Sequence, residues 1–307
     1  MKISENNKKK LIVLTGPTCS GKSSIALNLS DLIPIEIISA DSMLVYKDFN
    51  IGSAKPSDQT LSSTKHHLID IINPNEDFDA WKYMEMGREI IDVSKSKNFL
   101  VVGGTQLYIK SLIEGLTIDI SQNKQIRETI YEELSSKGLE YLYLKLKNID
   151  PDSALRISPR DKQRIIRYLE INQITGLKVS EVFNVKSSQK IRDVDYIKVG
   201  LWVDKDDLNL MISDRVDEMI LKGFVNEVEE LRNRYSSKLK PFRSIGYKEI
   251  CDYLDSKITL EDAINLIKIR TRQFAKRQRT WLRKDSEIIW FDEPQDLIEH
   301  CIKYVAS

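Results

Sequence analysis

Gly16-Pro17-Thr18-Cys19-Ser20-Gly21-Lys22-Ser23 sets two glycines four residues apart and follows them with a lysine and a hydroxyl residue. That is the spacing of a phosphate-binding P-loop. Its backbone N–H groups cradle an anion, the lysine reaches the terminal phosphates, and the hydroxyl holds Mg²⁺. By this pattern the backbone of Thr18 to Lys22 and the Lys22 ammonium would hold phosphate oxygens, and Ser23 would hold Mg²⁺. The same residues could form a glycine turn that binds nothing, but the flanks favour the P-loop. Leu11-Ile12-Val13-Leu14 reads as a buried parallel strand, and Ile25, Leu29 and Leu32 form a helical stripe after the loop. A helix N-terminus then points at the anion.

Two further segments end apolar runs in polar residues. Ile37-Ile38-Ser39-Ala40-Asp41-Ser42 places an acid just past a strand, at the edge where open α/β sheets bind ligands. Asp41 could cap a turn, ligate Mg²⁺ or accept a proton. Phe99-Leu100-Val101-Val102-Gly103-Gly104-Thr105 ends another run, and its two glycines let the backbone approach something closely. No Walker-B aspartate stands there, which counts against a motor-type or switch-type nucleotidase. A small-molecule kinase remains compatible.

The elements that must position these residues are legible as alternating runs. Leu11–Leu14, Ile35–Ile38, His67–Ile71, Phe99–Val102, Ile197–Val203 and Ile288–Phe291 read as strands between helical stretches. The fold class expected is α/β, a P-loop NTPase-like core with a mostly parallel sheet flanked by helices. From Ser121 to about Lys186 the pattern turns helical, with segments Ile126–Lys137, Leu139–Asn148 and Arg160–Thr175. This predicts an all-helical insertion domain over 121–186, with the core formed by 1–120 and 187–307. Asp206–Leu221 and Val225–Tyr235 read as two more helices, and Ser236–Arg243 as a mobile loop.

A chain of 307 residues with 41% hydrophobic and 30% charged residues can bury a substantial core. Three scattered cysteines give neither a metal spacing nor a disulfide framework. No apolar run is long enough to span a membrane, and the polar Met1–Lys10 is not a secretory signal, so a cytoplasmic enzyme is expected. A net charge of +1 announces no nucleic-acid partner. Locally the picture differs, because Lys268–Lys284 carries eight basic residues and no acid. As a helix it would bury Ile267, Phe274 and Trp281 and present Arg272, Lys276, Arg279 and Arg283 on the opposite face. Such a stripe suits a phosphate backbone, although a solvated face is the ordinary alternative.

GPTCSGKS, ISADSMLVYKDFNIGSAKPS, HHLIDI with NPNEDF, VVGGTQLYIKSLIEGL and RTRQFAKRQRTWLRK, in this order, resemble the tRNA dimethylallyltransferase (tRNA isopentenyltransferase) family. The resemblance runs from about Leu11 to Lys284. It implies transfer of a dimethylallyl group from dimethylallyl diphosphate to N6 of adenosine 37 of tRNA, with Mg²⁺ as cofactor. The P-loop, Gly16 to Ser23, would then hold the donor's diphosphate, with Lys22 and Arg215 as positive contacts. Asp41 resembles the family's general base, and Thr105 a residue that touches the tRNA near the target base.

Other tRNA contacts implied by the resemblance are Asp41, Ser42, Met43 and Leu44; Arg127; Gln163, Arg164, Ile165, Ile166 and Arg167; Arg243, Gly246, Tyr247 and Lys248; and Arg272, Lys276, Arg277 and Arg279. The partner would be the anticodon stem-loop, gripped from both sides by the insertion and the basic helix, with the target base flipped out. The protein is expected to act as a monomer and to be the short bacterial form, since Cys301 stands alone where eukaryotic members carry a zinc finger. The alternatives are a P-loop kinase, a prenyltransferase acting on free adenine nucleotides, and a non-enzymatic RNA-binding module.

Overall fold

The computed structural model describes residues 8–116, 123–184 and 190–307. The expected insertion boundaries at 120/121 and 186/187, and most of the polar N-terminal stretch, lie outside the described residues. Along the chain, β1 (Lys9–Thr15) leads through the glycine loop into α1 (Lys22–Leu32). Then come β2 (Glu36–Ser39), α2 (Asp58–Ser63), β3 (His66–His67), α3 (Ala80–Val93), β4 (Asn98–Gly103) and α4 (Gln106–Glu114). Next are α5 (Lys124–Ile149), α6 (Pro151–Leu155), α7 (Lys162–Thr175) and α8 (Val179–Asn184). The chain ends with β5 (Val194–Leu201), α9 (Lys205–Leu221), α10 (Phe224–Arg234), α11 (Tyr247–Leu254), α12 (Leu260–Leu282), β6 (Ile288–Phe291) and α13 (Pro294–Ala306). Two compact units result: Met1–Ile113 with Ile191–Ser307, and Glu114–Lys190.

In the first unit six strands pair in parallel in the order β3-β2-β4-β1-β5-β6. Helices cover both faces of such a sheet, so its central strands need apolar residues at every position. Leu11, Ile12, Val13 and Leu14 are accordingly buried. Ile12 and Leu14 pack with Ile25 and Leu29 of α1 and with Leu297, Ile298 and Cys301 of α13. Register fixes the functional edge. Thr15 pairs with Gly103 and Gly200, and Ser39 with Val102, so β1, β2 and β4 end level. The loops that leave them start from one edge.

Two expectations change. The strand expected over His67–Ile71 is only His66–His67, because Leu68 and Asp70 adopt φ of 61° and 55° and turn the chain away. Asp70 and Ile71 then donate to the carbonyls of Leu44 and Val45, and Asp70 pairs with Lys55. The stretch expected as a mobile loop before Ser244 holds a 3₁₀ turn, Lys240–Arg243, with Pro241 and Phe242 buried. Phe242 meets Phe49 edge-on at 5.2 Å, and Lys240 Nζ donates to the Phe78 carbonyl at 2.9 Å. The two helices expected on either side of Gly138 are present as the two halves of α5, separated where Gly138 leaves the helical conformation at φ 81° and ψ 172°.

The second unit has a core of its own, made by Ile130, Leu142 and Leu146 of α5, Ala154, Ile157, and Ile165, Ile166 and Leu169 of α7. Buried Asp150 organises its turns. Oδ1 accepts from the Ser153 amide and the Ser180 hydroxyl, and Oδ2 from the Ser180 amide. Where the first unit resumes, the Ile191 amide donates to the Ile113 carbonyl at 2.9 Å. Among the described residues no helix is long and apolar enough to cross a membrane.

Gly103 shows how tightly the functional edge is closed, since a Cβ there would lie 2.2 Å from the Ala40 carbonyl oxygen. Backbone cannot yield as a flexible side chain does. Gly103→Ala should destabilise the protein by about 1–3 kcal/mol, read by urea unfolding.

Candidate active site

The glycine loop is built around unpartnered amides. Gly21 is left-handed (φ 81°, ψ 3°), and so is Cys19 (φ 64°), a conformation costly for a residue with a Cβ. Left-handed residues in such a loop turn successive N–H groups toward one concavity. Cys19 is held there by its neighbours, its side chain packing on Leu208 and Ile212 of α9 and Ala275 of α12. A Cβ on Gly16 would come within 2.8 Å of Ser20 Oγ, so a side chain there would have to displace Ser20 from its contact with Lys22. Among the described residues, the amides of Cys19, Gly21, Lys22, Ser23 and Ser24 meet no protein acceptor. The expectation that the backbone from Thr18 onward faces the anion needs correction. The Thr18 amide donates to Gln278 Oε1 at 2.8 Å and the Ser20 amide to the Pro17 carbonyl at 3.4 Å.

Lys22 folds back under the loop, donating to the Pro17 carbonyl at 2.5 Å and to Ser20 Oγ at 3.4 Å. Burial lowers its ammonium to about 8; Cys19 and Asp41 pull it up and Arg215 pushes it further down. Lys22, Arg215 and Asp41 therefore share one electrostatic neighbourhood. Half-buried Asp41 uses Oδ1 to accept the Met43 amide at 2.7 Å, the turn-capping role. Oδ2 has no protein partner among the described residues, so the same carboxylate can cap a turn and accept a proton. Thr105 stands beside it. Its amide donates to the Ala40 carbonyl at 3.1 Å, and its Oγ1 accepts the Ser42 amide at 3.2 Å. Its own hydroxyl proton is left to donate.

The basic helix is α12, but its buried face differs from the expected one. Ala263, Ile267, Ala275, Gln278 and Leu282 are buried, whereas Phe274 is 38% and Trp281 51% exposed. A seven-residue repeat drifts by ~20° per heptad on a straight α-helix, so Phe274 and Trp281 slide off the stripe that Ile267 begins. The cations also divide. Lys268 pairs with Asp217 at 2.7 Å, and Arg270 pairs with buried Glu249. Arg272 donates to Ser213 Oγ at 2.7 Å. Lys276, Arg277, Arg279 and Arg283 have no carboxylate partner among the described residues. Arg277 lies 5.9 Å from the Phe274 ring, and Arg279 and Arg283 lie 4.8 and 5.8 Å from the Trp202 ring.

A sequence model described as IPP transferase matches residues 44–285. The chain belongs to the IPP transferase family. It is 42% identical to tRNA dimethylallyltransferase 2 of Geotalea uraniireducens, over 98% of each chain. It is also 42% identical to tRNA dimethylallyltransferase of Geobacter sulfurreducens, over 94% of this chain and 93% of that one. Among solved structures, the full-length tRNA isopentenylpyrophosphate transferase of Bacillus halodurans aligns with a TM-score of 0.70 at 33% identity, covering 97% and 96% of the two chains. A eukaryotic dimethylallyltransferase described as acting on tRNA aligns with a TM-score of 0.78 at 31% identity, covering 92% of this chain and 74% of that one.

In this IPP transferase the other residues expected to touch RNA fall into two groups. Ser42, Gln163, Arg164, Arg243 and Lys248 are exposed, and Met43 and Leu44 are half-buried. Ile165 and Ile166 are core residues of the second unit, and Gly246 and Tyr247 are buried, so their side chains cannot present a contact surface. Tyr247 donates to Glu227, which also accepts the amides of Asn50, Ile51 and Gly52. Arg127 and Arg167 pair with buried Glu170 at 3.0 and 2.7 Å.

The sequence marks neither Gln106 nor Trp202, and it marks Gln278 only as part of the basic stretch Ala275–Lys284 that resembles a tRNA-contact region. Gln106 Nε2 donates to Thr15 Oγ1 at 2.8 Å, just before the glycine loop. For Gln278 a signal existed, an uncharged amide in register with Ala275 and Leu282. Ser23 is exposed, and its hydroxyl has no protein partner among the described residues, so it can ligate an ion. Among the described residues, no cluster of three acids, histidines or cysteines accompanies it. Mg²⁺ bound mainly through phosphate oxygens, with few protein ligands, fits such a site.

The lowered Lys22 ammonium gives a pH signature. A bound diphosphate favours the charged form, so the proton lost above pH 8 must be taken up on binding. Affinity for a diphosphate monoester, measured by calorimetry, should be nearly flat between about pH 7 and 8, below which the ligand itself titrates, and fall toward tenfold per pH unit above pH 8. Lys22→Met should abolish the accompanying proton uptake.

Proposed function

We propose that the chain transfers a dimethylallyl group from dimethylallyl diphosphate to N6 of adenosine 37 in tRNA, releasing diphosphate. What carries this reading is one juxtaposition. An anion cradle with Lys22 and Arg215 lies within electrostatic reach of Asp41, a carboxylate with an oxygen to spare. It is supported by relatives named tRNA dimethylallyltransferase at about two-fifths identity over nearly the full chain.

The chemistry follows from these groups. The C1–O bond of the donor breaks, its electron pair leaves with the diphosphate, and C1 develops allylic cation character. Stabilising the departing anion is the main electrostatic task, and the free amides, Lys22 and Arg215 perform it. Bound Mg²⁺, held by Ser23 and the diphosphate, would add charge neutralisation. The N6 lone pair, delocalised into the ring and weakly nucleophilic, forms the new bond to C1. Asp41 aligns the amine through a hydrogen bond and receives the N6 proton. The Thr105 hydroxyl is placed to orient the adenine. Lys276, Arg277 and Arg279, together with Arg243 and Lys248, would meet the phosphates of the anticodon stem-loop. A kinase reading explains the loop but leaves unused the carboxylate at Asp41 and the unpaired cations of α12.

Incubation with unmodified tRNA and labelled dimethylallyl diphosphate tests the reading. Prenylation of N6 by a single turnover is expected, and ATP should not substitute for the donor. Equal transfer to free AMP, or ATP-dependent phosphorylation of a metabolite, would overturn it. Asp41→Ala should lower kcat by about 10²- to 10⁴-fold while changing tRNA affinity little. Lys276→Ala with Arg279→Ala should weaken tRNA binding and reduce the slope of log K against log salt by about one per lost phosphate contact. An unaltered slope would return that face to simple solvation.

A further inference from the structure

We infer that Gln278 is a positioning residue for the transfer reaction, fixing the diphosphate-holding loop against the turn that flanks Asp41. The inference rests on the donor and acceptor assignment above. Gln278 is only 6% exposed, and both polar atoms of its amide are used. Oε1 accepts the Thr18 amide at 2.8 Å, and Nε2 donates to the Gly104 carbonyl at 3.0 Å. An N–H on one side and a carbonyl on the other require an acceptor and a donor on one planar group. A carboxylate cannot donate, and an apolar side chain would leave both half-buried backbone groups without this partner. The approach is close enough that a Cβ on Gly104 would stand 2.3 Å from Nε2, which accounts for the second glycine of the Gly-Gly-Thr turn.

The two loops joined in this way carry the two halves of the proposed reaction. On one side the Thr18 amide anchors the loop whose next residues hold unpartnered N–H groups. On the other side Gly104 leads directly to Thr105, whose amide and Oγ1 hold the residues on both sides of Asp41, Ala40 and Ser42. One side chain thus sets the spacing between the leaving-group site and the proton acceptor, and it does so from a rigid helix. Ala275 and Leu282 already seat α12 by apolar burial, so the amide is not needed merely to dock it. Its neighbours Lys276 and Arg277 are exposed on the same two turns, placing outward cations and the inward bridge on one rigid element.

The test uses the full chain with an anticodon stem-loop RNA and dimethylallyl diphosphate. Gln278→Met keeps the length and removes both hydrogen bonds. It should lower kcat by about 10- to 100-fold, the scale of an ångström-level misplacement, while the dissociation constants for inorganic pyrophosphate and for the RNA change by less than about threefold. Gln278→Glu supplies a chemical readout that a purely structural role would not move. Its loss of kcat should shrink as pH falls and the introduced carboxyl regains a proton to donate to Gly104, a recovery absent from the wild-type profile. Gly104→Ala displaces the same contact from the other side, so in combination with Gln278→Met the losses in kcat should be markedly less than multiplicative. The inference is overturned if kcat of Gln278→Met stays within threefold of wild type, if both ligand affinities fall as far as kcat, or if the two substitutions multiply independently. If the wild-type chain leaves the RNA unmodified, the prenyl-transfer reading itself fails, a result separable from all of these.

Discussion

An unfilled demand for negative charge organises the first unit. Among the described residues, five amides in the loop after β1 and at the start of α1 find no acceptor, and an ammonium is held beside them at reduced basicity. Open N–H groups at a helix start, with the positive end of the helix dipole behind them, favour an anion at that point. The level ends of β1, β2 and β4 bring the carboxylate of Asp41 and the hydroxyl of Thr105 to the same edge. A cradle for an anion and an acceptor for a proton then coexist within a few residues, which a reaction that expels a phosphate and deprotonates an amine requires. The acid that a motor or switch mechanism adds to such a cradle is missing from the end of β4, where glycines close on Ala40 and Gln278 instead.

Cations are distributed with similar economy. Net charge is near zero, yet α12 is charged on one face along most of its length. Its first basic residues are neutralised by Asp217 and Glu249, which tie the helix to α9 and α11. The later ones carry no acid, and two guanidiniums stack on the Trp202 ring instead. Stacking keeps a guanidinium oriented without discharging it, so the field toward a polyanion survives.

How much of this could be read in the sequence depends on whether the information is contiguous. The buried strands β1 and β4 and the edge strand β6 declare themselves through unbroken apolar runs, and the glycine loop through its spacing. β3 misleads because the apolar stretch after His67 is buried by turning away from the sheet at Leu68 and Asp70, which no periodicity reports. The face of α12 misleads because a heptad pattern in Ile267, Phe274 and Trp281 is a drifting one on a straight helix. Asp41 is legible as an acid at a strand end, while its free oxygen and its neighbour Thr105 depend on strand register. Gln278 is the least legible, since its partner Thr18 lies 260 residues away and an amide among arginines has no composition signal. Ile165, Ile166 and Tyr247 show the converse, where a motif stretch implied contact and burial reserves the side chains for the core.

The hydrogen bond between Ile191 and Ile113 gives the second unit an evolutionary freedom. Its entry and exit share one junction on the first unit, so the intervening segment is a closed excursion rather than a link in the sheet. No strand register is set by its length, and its core of α5 and α7 residues is self-contained. Such an excursion can be lengthened, trimmed or exchanged between lineages while the phosphate loop, Asp41 and Gln278 keep their places. Loop-closure entropy changes by only about 0.6 kcal/mol per doubling of length, so stability scarcely opposes that exchange. The catalytic edge and the excursion can therefore diversify at different rates within one continuous chain.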